Sequence, residues 1–145
     1  MAAGRWIARV GCVTAFVLVA SAGTQAASRD RTPPVFAGLR SATTCIPGPV
    51  GGGDRTSSFH LVWPAAKDNV TPSSRIAYDV YQATSPLAEN FSRATYTTRR
   101  GATSFVTPPL TSTEAETYYF VVRARDAAGN RDRNRRERPG RNLCL

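Results

Sequence analysis

The groups in this chain whose types and spacing suit chemistry are a carboxylate pair, a single imidazole and a stripe of tyrosine and arginine. Asp68 and Asp126 lie in the turn-rich stretches "AAKDNVTP" and "RARDAAGN". Two acids flanking one cleft would make the acid/base pair of glycoside hydrolysis. With Asn69 and Asn130 the same acids offer oxygen ligands to calcium. All four residues are also Asx-turn formers, and turns account for them without a substrate or an ion. His60 is the only histidine, so the chain has no second imidazole for a metal pair. "PVGGGD" is rich in glycine but leads into a strand, so it lacks the helix dipole that an anion cradle uses. These residues point to no catalytic centre, no cofactor site and no metal centre, and the chain reads as non-enzymatic.

The tyrosine and arginine stripe is the stronger candidate. In "TYYFVVRARDAAGN" the alternation of a strand sends Tyr119, Val121, Arg123 and Arg125 to one face. Tyr81 joins them from "RIAYDVYQAT", and Arg131, Arg133 and Arg135 lie alongside in "RDRNRRER". Aromatic rings stack on sugar faces and attract guanidinium groups, so Tyr81, Tyr119, Arg123 and Arg125 form a possible binding face. Cross-strand Tyr–Arg pairing that merely steadies an exposed sheet accounts for the same pattern.

The elements that must position these residues are short and β. No long window repeats apolar residues at helical spacing. Runs of alternating apolar residues recur instead, separated by Gly, Pro, Asn, Asp and Ser. Strands are predicted over 38–44, 58–63, 75–84, 93–98, 102–107, 117–125 and 131–138. Phe59, Leu61 and Trp63 share one face of the second, with His60 and Val62 opposite. Ile76, Tyr78 and Val80 share one face of the third. Tyr118, Phe120, Val122 and Ala124 share one face of the sixth. Seven short strands with near-regular turns argue an antiparallel β-sandwich, with Trp63, Tyr78, Val80, Phe120 and Val122 at its centre. The stretches 46–57 and 108–116 read as loops, Gly129 as the positive-φ residue of a hairpin turn, and "RDRNRRER" as an edge strand guarded by its charges.

The N-terminal stretch has a different character. Arg5 and Arg9 precede an apolar run and then small residues, the pattern of a secretory signal. Cleavage is expected after Ala26, leaving a single domain over 27–145 with its core at about 30–138. Cys45 and Cys144 then remain, and an even pair in an exported chain is by default a disulfide. The formal net charge is +9. Such a balance fits an anionic partner, although Lys67 is the only lysine and arginine bias from base composition yields the same count. Asn69-Val70-Thr71 and Asn90-Phe91-Ser92 match the glycosylation acceptor pattern.

Three segments together resemble a fibronectin type III domain of the kind appended to exported bacterial polysaccharide-degrading enzymes. They are "DRTPPVFAGL", "LVWPAAKDNVTPSSRIAYDVYQAT" and "TYYFVVRARDAAGNRD". The resemblance spans about 30–138. The long glycine-rich loop and the paired cysteines depart from the family pattern. It implies a seven-stranded, immunoglobulin-like sandwich, secreted or at the cell surface, without catalytic residues. The partner it implies is a polysaccharide or another extracellular protein; nucleic acid is not expected, nor a membrane once the signal is removed. In that topology the first and seventh strands end at the same pole, which would bring Cys45 and Cys144 together.

Overall fold

The computed structural model describes residues 30–44, 55–112 and 117–142. The expected signal segment, Cys45, Cys144 and most of the glycine-rich loop lie outside the described residues. The fold is all-β and holds two sheets, with one short 3-10 turn at Ser73–Arg75.

Ten short segments carry the pairing. They are β1 (Ser41–Thr44), β2 (Arg55–Ser57), β3 (His60–Val62), β4 (Ala77–Ala83), β5 (Tyr96–Thr97), β6 (Ser104–Val106), β7 (Leu110–Ser112), β8 (Tyr119–Arg125), β9 (Arg138–Pro139) and β10 (Arg141–Asn142). One sheet has the order β10-β1-β3-β6 and the other β5-β4-β8-β9. β2 and β7 form a two-stranded ribbon that prolongs the run of β3 and β6. Counted as continuous runs, seven strands result, as the alternation predicts.

The longest ladder joins β4 to β8 antiparallel over seven pairs, from Ala77↔Arg125 to Ala83↔Tyr119. Its inner residues Tyr78, Val80, Phe120, Val122 and Ala124 are fully buried. From the other sheet Phe59, Leu61 and Trp63 meet them. Aromatic rings fill the gap in tilted and edge contacts: Phe59 to Phe120 at 5.2 Å, Trp63 to Tyr78 at 5.4 Å and Phe36 to Tyr78 at 5.3 Å between centroids. Such pairs add to the value of their area alone. The polar ends of Trp63 and Tyr78 are satisfied. Trp63 Nε1 donates to the Ala102 carbonyl at 3.0 Å, and the Tyr78 hydroxyl accepts the Ala66 N–H at 2.8 Å. His60 points to solvent, as its place on β3 requires.

Three expectations need correction. Arg55–Ser57 and Leu110–Ser112, read as parts of loops, pair with each other because the antiparallel β3–β6 ladder runs on past the sheet. The stretch 131–138 is not a continuous final strand. Only the isolated bridge Arg125↔Arg131 and the two-residue β9 pair with β8. Between them, side chains take over from the backbone. The Ala124 N–H donates to Asp132 Oδ2, Asn134 Nδ2 donates to the Val122 carbonyl at 2.9 Å, and Arg123 Nε donates to the Asn134 carbonyl at 2.9 Å. Burial pushes the Asp132 carboxyl above its ordinary pKa, against the N–H groups of Asn134 and Ala124 that it accepts. Finally, the last strand serves both sheets. β9 pairs with β8, and two residues later β10 pairs parallel with β1, Thr43↔Arg141 and Thr44↔Asn142.

Gly140 is the point of that crossing. Its N–H donates to the Tyr118 carbonyl at 2.7 Å, and a Cβ there would lie 2.2 Å from the Phe59 ring. Phe59 is packed against Tyr118 and Phe120 and cannot swing aside. Gly140→Ala is therefore expected to lose about 1–3 kcal/mol by overpacking, read in urea as a lower midpoint at unchanged m-value.

Candidate functional site

The β4–β8 register places the tyrosine and arginine residues on the outer face as expected. Across the ladder Ala77 faces Arg125, Asp79 faces Arg123, Tyr81 faces Val121 and Ala83 faces Tyr119. The face is not open, however. Tyr81 is only 2% exposed and Val121 only 1%. The expectation that Tyr81 presents its ring to a ligand is thereby corrected. Phe91, from the loop between β4 and β5, packs edge-on against it at 5.1 Å. Arg123 lies over the Phe91 ring at 3.7 Å and over Tyr81 at 5.6 Å, and Arg135 approaches Phe91 at 5.5 Å. These are cation–π distances. Burial pushes the Tyr81 hydroxyl above its usual pKa, helped by the charge of Asp79.

The loop that carries Phe91 is fastened at a second point. The Leu87 N–H donates to Glu137 Oε2 at 2.5 Å, with Leu87 itself at φ 59. Beside this bond Glu89 is buried, and its Oε1 has no hydrogen-bond partner. Burial raises the Glu89 pKa, and the neighbouring Glu137 carboxylate raises it further.

Asp79 holds the centre of the face. It is 1% exposed and accepts from Arg125 Nε at 3.1 Å, Arg125 Nη2 at 3.3 Å, Arg131 Nε at 2.9 Å and Thr97 Oγ1 at 2.9 Å. One carboxylate thus ties β4, β5, β8 and the residue after the β8 hairpin. Burial alone would push its pKa up; the Arg125, Thr97 and Arg131 bonds outweigh it and hold the carboxyl below its ordinary value. Arg125, offered as a binding residue, is engaged in this network, and Arg123 is engaged with Phe91. Tyr119 is half-buried at the end of the face.

The acids of the two turns do meet. Asp68 and Asp126 come together at one pole, joined there by Asp30. Asp68 Oδ2 caps its own turn, accepting the Val70 and Thr71 N–H groups at 3.0 and 2.8 Å. Asp126 is 4% exposed, and its two oxygens accept the Asn130 N–H and Nδ2, both at 2.7 Å. A carboxylate so covered and so engaged is closed to a sugar substrate. Asn69 is exposed. Asp30 was missed because it lies far along the chain from both turns. Phe91 was missed because an isolated aromatic in a loop carries no periodic signal.

A groove with an apolar lining lies elsewhere. It has a volume of about 430 Å³ and runs along β1 and β9, floored by Ala42 and Pro139 and rimmed by Arg40, Arg138 and Arg141. Arg138 is held in place by donating to the Arg40 carbonyl at 3.2 Å. Among the described residues no helix is long and apolar enough to cross a membrane. No family model matches the chain, and no curated protein or solved structure matches it.

Two pH tests follow from opposite shifts. Asp79 has a depressed pKa when folded, so its contribution is present above the unfolded value of about 3.9 and is lost as pH falls through the folded value. Asp79→Asn should cost about 1.5–3 kcal/mol at pH 7, and the gap to the wild type should close on acidification in denaturant titrations. Glu89 has a raised pKa, so its contribution is present below about 4.3 and is lost as pH rises through the folded value. Glu89→Gln should therefore melt above the wild type at pH 8 and level with it near pH 4.

Proposed function

We propose that the chain is a small exported, non-enzymatic module of the fibronectin type III architecture that binds acidic extracellular polysaccharide. Two sheets, β10-β1-β3-β6 and β5-β4-β8-β9, that amount to seven continuous strands support the fold assignment, because a seven-stranded sandwich is what the resemblance implies. The observation that carries the binding role is the groove. Arg40, Arg138 and Arg141 rim an apolar floor, and guanidinium groups suit carboxylate and sulfate. The residues best placed for chemistry already hold the scaffold: Asp79 and Asp132 bind strands, and Asp126 binds its own turn. A second reading, stacking of a neutral sugar on the tyrosine face, rests on Tyr119 alone, since Phe91 covers Tyr81.

The test is retention of the protein on carboxylated, sulfated and neutral polysaccharides. Acidic polymers should retain it, and Arg40→Ser combined with Arg141→Ser should weaken retention about tenfold or more, with Tyr119→Ala having no effect. Retention on a neutral polymer that Tyr119→Ala abolishes would overturn this assignment in favour of the stacking face.

The export reading is supported by the parallel pairing of β1 with β10. Thr44 and Asn142 are register partners, and in sequence Cys45 comes one residue after the first and Cys144 two residues after the second. A bridge there would close a loop of about 100 residues, a constraint of about 4.7 kcal/mol in the chain-entropy model. The denatured exported protein should show no free thiol, and reduction should lower its Tm markedly. Two titratable thiols would exclude the bridge.

A further inference from the structure

We infer that the loop over 84–95 is a lid on the tyrosine and arginine face, closed by a proton shared between Glu89 and Glu137 and released when that proton is lost. The loop joins β4 to β5 and lays Phe91 against Tyr81, which is left 2% exposed. Its stem is held by the sheet. The Thr95 N–H donates to the Val80 carbonyl at 2.8 Å, and the Gln82 N–H donates to Thr95 Oγ1 at 3.1 Å. Its far end is tied across to the β8–β9 connection by the Leu87 N–H, which donates to Glu137 Oε2. Leu87 is the only non-glycine residue with a positive φ among the described residues. Such a conformation persists only where the surroundings enforce it. The Leu87 side chain is 79% exposed, so no core contact enforces it; the Glu137 bond does.

The two acids at that tie stand without a cation. Glu89 is 8% exposed, its Oε1 is buried with no hydrogen-bond partner, and its carboxyl neighbours that of Glu137. Adjacent carboxylates repel when both are ionised, and a buried one without a partner is costly. One proton removes both costs: the Glu89 O–H donates to Glu137, which keeps its bond to the Leu87 N–H. No guanidinium serves in its place, although the chain carries 19 basic residues. Among the described residues the ion pairs go to Asp79. The arginines flanking Glu137 are turned away. Arg135 lies on Phe91, Arg136 Nη1 donates to the Ala37 carbonyl at 2.9 Å, and Arg138 reaches the Arg40 carbonyl and the backbone of Glu137. Beneath the loop β4 and β8 offer Tyr81, Tyr119 and Arg123. Tyr81 and Arg123 feel each other, Asp79, Asp132 and nearby arginines, but not Glu89. Tyr96 on β5 is shifted by burial alone, and Arg93 in the loop is exposed. Glu137 is the one charged group that bears on Glu89.

The direction of the switch follows. Burial raises the Glu89 pKa against the bond to its own N–H, and the Glu137 carboxylate raises it further, so the closed loop holds the proton more tightly than the open one. The latch is complete below about pH 4.3, the value of an exposed glutamate, and is lost as pH rises through the closed-state value. The proton then passes to water, two carboxylates face each other, and the Leu87 tie yields. Opening lifts Phe91 from Tyr81 and takes the ring from Arg123 and Arg135. An aromatic and cationic face that is covered in acid is thus bared towards neutral pH.

The experiment follows the full chain by NMR from about pH 4 to about pH 8, with amide exchange read as protection factors so that its intrinsic pH dependence cancels. Protection of the Leu87 amide is expected to fall about tenfold or more over that range, while the Val80 and Val122 amides of the β4–β8 ladder stay unchanged. The Phe91 ring resonances should move with one midpoint above about 4.3. Glu89→Gln, whose amide donates to Glu137 as the acid does, should keep Leu87 protected throughout and remove the midpoint. Glu137→Gln, whose amide donates to the Glu89 carboxylate, should flatten the profile as well, and it carries the test if the first variant fails to fold. Equal protection of Leu87 at both ends of the range overturns the lid, and so does a loss shared by the ladder amides. A folded Glu89→Gln that keeps the wild-type profile overturns the assignment of the proton to this pair.

Discussion

Val80 faces Val122 across the β4–β8 ladder, and from that register both sides of the larger sheet follow. Side chains alternate, so fixing one inward pair sends Tyr78, Phe120 and Ala124 to the interior and Asp79, Tyr81, Arg123 and Arg125 to the outside. A slip by one residue would turn the aromatic centre of the core into water and bury the arginines. The large apolar surface of Trp63, Tyr78 and Phe120 makes such a slip prohibitive. The ring contacts with Phe59 and Trp63 then set the second sheet against the first.

The outer face uses the same register for a different purpose. Instead of a solvated surface it builds a second, smaller interior, half aromatic and half ionic. Phe91 closes over Tyr81, while Asp79 draws Arg125 and Arg131 inward. A buried charge is costly unless paired and hydrogen-bonded, and Asp79 meets that condition with three partner residues. The arrangement explains how a strongly basic chain keeps its central sheet ordered: two guanidinium groups share one carboxylate, and two others rest on the Phe91 ring. Three further arginines, Arg40, Arg138 and Arg141, line the groove beside β1.

Much of this was legible in the sequence. Period-two alternation placed Trp63, Tyr78, Val80, Phe120 and Val122 in the core, where they are buried, and "DAAGN" marked its turn, where Gly129 does have φ +94. The outward register of Tyr81, Tyr119, Arg123 and Arg125 was legible too. Their exposure was not, because alternation says which way a side chain points and nothing about a loop that folds back over it. "RDRNRRER" misled for a related reason. Asp132 and Asn134 supply ladder bonds from their side chains, so a strand-like alternation of polar residues runs beside β8 without being a strand. The meeting of Asp30 with Asp126 depends on the path of the whole chain, which no local pattern encodes.

The parallel pairing of β1 with β10 has a mechanical consequence. The chain enters the paired region at the Ser41 end of β1 and leaves it at the Asn142 end of β10, opposite ends of one ladder. Tension along the polypeptide therefore pulls the two strands lengthwise past each other and strains their hydrogen bonds together, whereas an antiparallel hairpin with both ends on one side would peel open bond by bond. Because the preceding residues of the same strand, Arg138 and Pro139, are anchored in the opposite sheet, that load is shared across the sandwich.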